Sequence, residues 1–102
     1  MTATYTRRTL LTVICEASIE AGVTADAKRL GAHGHTASDA RGWGGHGERD
    51  GGWPMSGNVR IDILCEAAIA DAIAAHLQAT YFASYAMVCY LSDVSVLRSH
   101  KF

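Results

Sequence analysis

The chain has 102 residues, of which 49% are hydrophobic, and it carries nine basic and ten acidic side chains. A single domain of this length buries about two-thirds of the surface that its unfolded chain exposes, which is enough for a core without disulfides or metals. The near-neutral charge argues against nucleic acid as a main partner, and the absence of a signal layout or an unbroken apolar run predicts a cytoplasmic protein with no direct membrane insertion.

The first half of the chain predicts a strand, a helix and a second strand. Residues 6–15 carry apolar side chains on both parities, which is typical of a strand covered on both faces. Residues 17–30 have apolar positions near helical spacing, with Ser18 as a candidate N-cap and Gly31 just past the end. A weaker strand is expected over residues 35–42.

The second half repeats this order. In residues 58–65, Val59, Ile61 and Ile63 alternate with Arg60 and Asp62, which predicts a half-buried strand. Residues 66–82 have apolar side chains at steps of four and predict a second amphipathic helix. Residues 84–91 predict a last buried strand, and residues 93–97 a short edge strand.

The order of the predicted elements indicates one α+β domain over residues 1–102, and the cysteines fit the interior of such a domain. Cys15, Cys65 and Cys89 each lie inside an apolar run, as buried thiols do. The order matches the split βαβ, a ferredoxin-like βαββαβ sandwich with two helices on one face of an antiparallel sheet. The other face would stay bare although two strands are apolar on both parities, so we expect an oligomer with ligand clefts between its subunits.

A glycine-rich stretch over residues 39–57 joins the two halves and shows no apolar period that a helix or strand could use. Its glycines let backbone N–H groups approach an anion, Arg41, His46 and Arg49 supply positive charge, and Trp43 and Trp53 offer stacking surface. Two interpretations stay open here: a mobile loop that recognises a small anionic ligand, or a solvated flexible insertion.

These features resemble the PII signalling superfamily. Arg41, Gly42, Trp43 and Gly44 are similar to the entry into that family's long T-loop. In this chain the T-loop corresponds to residues 42–57, between the second and the third of the predicted strands. Residues 58–64, the helix that follows them, residues 85–91 and the ending with Val96, Leu97, His100 and Phe102 are similar to its SbtB and carboxysome-associated PII branch. The resemblance implies a PII-like homotrimer that binds ADP or AMP between subunits and bicarbonate with them. Its implied role is regulation of inorganic carbon, with a bicarbonate transporter or a carboxysome-related protein as partner.

The resemblance also implies where such ligands bind. Phosphate or bicarbonate would contact the backbone near Gly42, Gly44 and Gly45, with charge from Arg41 and, across the interface, Arg98. An apolar slot for adenine would be lined by Met87 and Val88. Polar contacts near this slot would come from Thr36, Ser38 and Asp39, and the remaining expected nucleotide or anion contacts are Trp43, His100 and Lys101. For Arg98, an ordinary edge charge is the alternative to a phosphate contact.

Two departures from the PII pattern change which nucleotide and which loop modification we expect. The family's second glycine- and lysine-containing phosphate loop is replaced by residues 80–85, TYFASY, which favours ADP or AMP over ATP. Residues 44–57 contain no tyrosine, so uridylylation of the loop is not expected.

No nucleophile with a base at recognisable spacing occurs, so we expect no enzyme and no cofactor. Two alternatives remain. One is a metal-responsive trimeric module that uses His33, His35 and His46, although our expectation is that no metal binds. The other is a slow nucleotide hydrolase that depends on Arg98.

Overall fold

The computed structural model describes residues 2–44, 47–49 and 57–102. Its elements in chain order are β1 (Thr6–Glu16), α1 (Glu20–Arg29), β2 (Thr36–Ala40), β3 (Gly42–Gly44), β4 (Gly47–Arg49), β5 (Asn58–Cys65), α2 (Ala67–Tyr81) and β6 (Val88–Val96), with 3₁₀ turns at Ala17–Ile19 and Ser99–Lys101. Four strands form an antiparallel sheet in the order β2-β5-β1-β6. The predicted α+β, ferredoxin-like βαββαβ fold is confirmed.

The hydrophobic core lies on one side of this sheet, under the two helices. In β5 the predicted alternation is confirmed, since Val59, Ile61 and Ile63 are buried whereas Arg60 and Asp62 are partly exposed. Each fully buried isoleucine or leucine stabilises the fold by about 1.5–3 kcal/mol relative to an exposed one. The largest fully buried apolar side chains are those of Leu11, Val13, Val23, Ile61, Ile63, Ile73 and Leu77.

The opposite side of the sheet, called the open face below, carries neither of the two α-helices in the described part of the chain. It is apolar toward β6, where Val88 and Tyr90 are 41% and 43% exposed. Its centre is polar: the buried Thr12 donates a hydrogen bond from Oγ1 to Asp62 Oδ1 at 2.7 Å, and Arg60 Nε donates to Asp62 Oδ2 at 3.0 Å. The open face therefore combines apolar side chains with a central ion pair.

The start of α1 differs from the sequence prediction. Ser18 is not its N-cap, because the chain first forms the 3₁₀ turn and Ile19 holds the cap position without a side-chain hydrogen bond. The Ala17 N–H donates to the Gly57 carbonyl at 2.6 Å, so the chain leaves β1 tied to the segment before β5. The predicted end at Gly31 is confirmed, with φ of 118°.

The last strand is longer and later than predicted. Residues 84–91 and 93–97 are not two strands, because a single strand β6 runs from Val88 to Val96 along β1. Residues 84–87 remain in a turn, since the N–H groups of Ser84 and Tyr85 donate to the Tyr81 carbonyl and that of Met87 to the Tyr85 carbonyl. Those bonds hold the backbone in a tight turn, and the ladder with β1 begins only after it.

Part of the glycine-rich loop is regular, contrary to the prediction from its missing periodicity. Strands β3 and β4 pair as a small antiparallel sheet, with Trp43 opposite Glu48. Backbone pairing uses N–H and C=O groups alone, so it needs no apolar period. Predictions that concern Gly45, His46 and Trp53 lie outside the described residues. Within the described ranges, no helix is long and apolar enough to span a bilayer.

Candidate functional site

One end of the sheet, called the loop end below, holds several predicted ligand residues. Ala40 pairs with Asn58, Asn58 with Glu16, and nearby Val88 pairs with Ile14. The register therefore places the end of β2 and the start of β6 at this same end. The predicted contacts here are Arg41, Gly42, Trp43, Gly44, Met87 and Val88.

The predicted polar contacts on β2 divide between the two faces of the sheet. Thr36 pairs with Asp62 and Ser38 with Arg60, so both lie on the open face. Asp39 pairs with the buried Val59 and therefore lies on the helix side. A ligand on the open face would contact Thr36 and Ser38 but not Asp39, because side chains of adjacent strand residues point to opposite faces.

The polar and apolar parts of the predicted adenine slot lie at opposite edges of the sheet. One cross-strand row runs from Ser38 through Arg60 and Ile14 to Val88. Three inter-strand spacings separate Ser38 from Val88, a distance of roughly 14 Å. A single adenine ring cannot bridge that gap, so one chain does not bring the two parts together.

The basic residues near the C-terminus lie at the opposite end of the sheet from the loop. Val96 pairs with Thr6 at the start of β1, whereas the loop end lies beside Glu16. A strand of this length spans roughly 33 Å. Arg98, His100 and Lys101 of one chain therefore cannot hold the same phosphate group as its own Arg41.

A cleft of about 400 Å³ opens between α1 and the segment that leads into β2. His33 and His35 line it together with Lys28 and Thr24 over a floor of alanines. These are two of the three histidines of the metal-binding alternative, and His46 lies outside the described residues. Within the described ranges, no group of three or more His, Cys, Asp or Glu side chains could hold a metal ion.

Sequence reasoning missed an interhelical cluster, because its members are distant in the chain. Asp26 Oδ2 on α1 lies 2.8 Å from His76 Nε2 on α2, and Arg29 lies beside the carboxylate. The hydrogen bond from His76 lowers the pKa of Asp26 below its usual range, and burial raises the pKa of Tyr81 nearby. No local spacing signals such a pair.

This cluster is not a catalytic triad. Thr80 Oγ1 lies 3.5 Å from His76 Nε2, the same ring nitrogen that contacts Asp26. A relay needs the hydroxyl and the carboxylate on different imidazole nitrogens, so that one accepts the hydroxyl proton while the other is held by the carboxylate. The cluster gives the hydrolase alternative no support.

A family model described as "Nitrogen regulatory protein P-II" matches residues 8–101. Among solved structures, a PII-like signalling protein of Thermus thermophilus is 34% identical, with a TM-score of 0.84 over 96% of this chain and 97% of that one. No curated protein matches the sequence of this chain.

Two further structures are those of CPII, a nitrogen regulatory PII-like protein from Thiomonas intermedia. One, bound to ADP, AMP and bicarbonate, is 21% identical with a TM-score of 0.90 over 99% of this chain and 98% of that one. The other, bound to ADP and bicarbonate, is 22% identical with a TM-score of 0.89 over 99% of both chains. At these identities the likeness is one of fold.

Proposed function

This chain belongs to the family of nitrogen regulatory P-II proteins, and from that premise we propose that it is a trimeric sensor that binds ADP or AMP between its subunits. Bicarbonate is its co-ligand, and residues 42–57 act as the T-loop of one domain that spans residues 1–102. Its output is a changed loop surface rather than a chemical product.

One observation carries this proposal: the predicted ligand residues are divided between opposite edges and opposite ends of one chain. Ser38 lies on β2 and Val88 on β6, at the two edges of the sheet. A neighbouring chain that places its β6 edge beside the β2 edge of the first would unite them. Arg98 lies at the far end of β6 from Val88, so it would reach a ligand held at Arg41 through a second subunit contact, between the end of β6 in one chain and the loop end of another.

The open face supports assembly of the chains. Val88 and Tyr90 are about two-fifths exposed, and Leu10 and Ile14 beside them are only partly buried. Exposed apolar area on one contiguous surface is typical of an interface. Packing against further copies covers this area and forms clefts at the seams.

The chemistry of the proposed site suits an anion with an apolar base. Arg41, Arg98 and Lys101 offer charge to phosphate or bicarbonate, and the backbone of Gly42 and Gly44 offers N–H groups. Among the described residues other than its two chain neighbours, no atom lies within 4 Å of the position that a Cβ on Gly42 would take, so this side of its backbone is open to a ligand. The ADP, AMP and bicarbonate bound by CPII belong to the same ligand class.

The proposed partner surface is the β3–β4 hairpin. Trp43 is 82% exposed there, and a large exposed aromatic side chain is a common anchor in protein interfaces. We assign this surface to a cytoplasmic partner linked to inorganic carbon, either a bicarbonate transporter or a carboxysome-related protein.

Calorimetry with ADP, AMP and ATP, each with and without bicarbonate, tests the proposal, with light scattering to give the mass of the assembly. Arg41→Ala is expected to weaken ADP binding about tenfold, since it removes one charged contact. Arg29→Ala, on the outer surface of α1, is the matched control and is expected to bind ADP normally. A monomeric chain, or one that binds no adenine nucleotide at millimolar concentration, would overturn the proposal.

A further inference from the structure

The chain turns sharply where it leaves β6, at Arg98. With φ of 54° and ψ of 51°, Arg98 is the one non-glycine residue of the described ranges with a positive φ. Residues with a Cβ rarely adopt this left-handed conformation, and they keep it where the surrounding structure holds them. The contacts that hold Arg98 therefore decide where its side chain and the two basic residues after it lie.

The turn is closed in part by its own backbone. The Lys101 N–H donates to the Arg98 carbonyl at 3.0 Å, and the Phe102 N–H donates to the Ser99 carbonyl at 3.1 Å. These bonds shape the 3₁₀ turn Ser99–Lys101 but do not fix it to the body of the protein.

Arg8 supplies the link to the body. On β1, its Nε donates to the Phe102 main-chain oxygen at 3.3 Å, its Nη2 contacts the Ser99 carbonyl at 3.5 Å, and its Nη1 donates to the Arg7 carbonyl at 2.9 Å. A single planar guanidinium therefore contacts main-chain oxygens at both ends of the turn and on its own strand. Within the described ranges Arg8 makes no ion pair, and its donors point at main-chain oxygens.

We propose that Arg8 is a positioning residue for anion binding: it holds the left-handed turn at Arg98 so that Arg98, His100 and Lys101 face a ligand of the neighbouring subunit. This inference rests on the proposed function. The guanidinium of Arg8 holds its N–H groups at fixed angles and can contact several main-chain oxygens at once. A lysine ammonium on a flexible stem cannot reproduce these contacts.

A double-mutant cycle tests this role by calorimetry with ADP on the full chain, using Arg8→Lys, Arg98→Gln and the double variant. Arg8→Lys keeps the charge and most of the stem, and it is expected to weaken ADP binding about tenfold. In the Arg98→Gln background it is expected to have a clearly smaller effect, because one of the three groups that it positions is gone. Arg7→Lys, one residue earlier on the same strand, is the matched control and is expected to bind ADP as the wild type does.

Trypsin cleavage after Arg98 gives a second readout, followed by mass spectrometry of the released end. Cleavage there is expected to be faster in Arg8→Lys than in Arg7→Lys, because the turn is no longer clasped. Should Arg8→Lys fail to fold by circular dichroism, Arg8→Gln takes its place in both experiments.

The outcomes separate the two proposals. A wild-type chain that binds no ADP overturns the proposed function. A wild-type chain that binds ADP while Arg8→Lys binds it equally well, or loses affinity by the same factor with and without Arg98, overturns the positioning role alone.

Discussion

His76 Nε2 lies 2.8 Å from Asp26 Oδ2 and joins α2 to α1 on the outer surface of the protein. The hydrogen bond from His76 is the main reason that the pKa of Asp26 lies below its usual value, and Arg29 adds to it. Because the folded state binds the proton of Asp26 less readily than the unfolded state does, the pair stabilises the fold above the unfolded pKa of about 3.9.

We expect Asp26→Asn to lower the free energy of unfolding at pH 6 by about 0.5–1 kcal/mol, the scale of a partly exposed pair. The difference between variant and wild type should shrink as the pH falls below that unfolded value, and it should be lost once the pH falls through the lowered pKa of Asp26 in the folded protein. Urea unfolding at pH 6 and pH 3 measures both values. A difference that stays constant over this range would show that the carboxylate charge does not matter.

Gly31 is expected to be intolerant of a side chain. Its φ of 118° lies in the region that favours glycine, and a Cβ there would lie 3.3 Å from Ile69 Cδ1. Gly31→Ala should therefore lower the free energy of unfolding by roughly 1–3 kcal/mol. Gly34→Ala, a glycine with open space around it and no positive φ, is the control and should change stability by less than about 0.5 kcal/mol.

The centre of the core is expected to be sensitive to the loss of volume. Ile61 lies in β5 between β1 and β2 and is fully buried beneath the helices. Ile61→Ala should cost about 2–5 kcal/mol, and Ile61→Val about 1 kcal/mol, because the smaller truncation leaves the smaller cavity. Denaturant unfolding followed by circular dichroism measures both, and equal losses would argue that the site collapses fully around either side chain.

A charge on the apolar part of the open face is expected to prevent assembly. Tyr90→Asp would place a carboxylate against a second copy without a partner for it, and association should weaken by at least about 100-fold. Light scattering should then report the mass of one chain. Phe82→Asp, at the C-terminal end of α2, changes an equally exposed aromatic residue away from this face and should leave the assembly intact.

Much of the fold could be predicted from the sequence, because alternation and helical spacing are local signals. Val59, Ile61 and Ile63 alternate over one strand, and their burial followed directly. The N-cap of α1 and the start of β6 were predicted wrongly because backbone hydrogen bonds determine both. The Ala17 N–H donates to the Gly57 carbonyl, and the turn that follows Tyr81 makes β6 begin later in the chain. A residue type near an element's end does not reveal such bonds.

The candidate site was harder to predict because it depends on pairing between distant strands. Nothing in residues 36–39 tells that Ser38 lies beside Arg60 while Asp39 lies beside Val59, since the register is set by the whole sheet. Arg8 and Ser99 are likewise far apart in sequence and meet only because β1 and β6 are neighbours. Local motifs identify candidates, whereas the sheet decides which of them share a face.

The ion pair between Arg60 and Asp62, with Thr12 beneath it, also matters before any partner is met. Before assembly the open face of each chain is exposed to solvent. Charged groups at the centre of this face disfavour aggregation with other exposed β-sheets. A charged pair is costly to bury without a complementary polar group, so a partner that covers this surface has to offer one. We therefore expect the Arg60–Asp62 pair to limit non-specific association of chains that have not yet assembled.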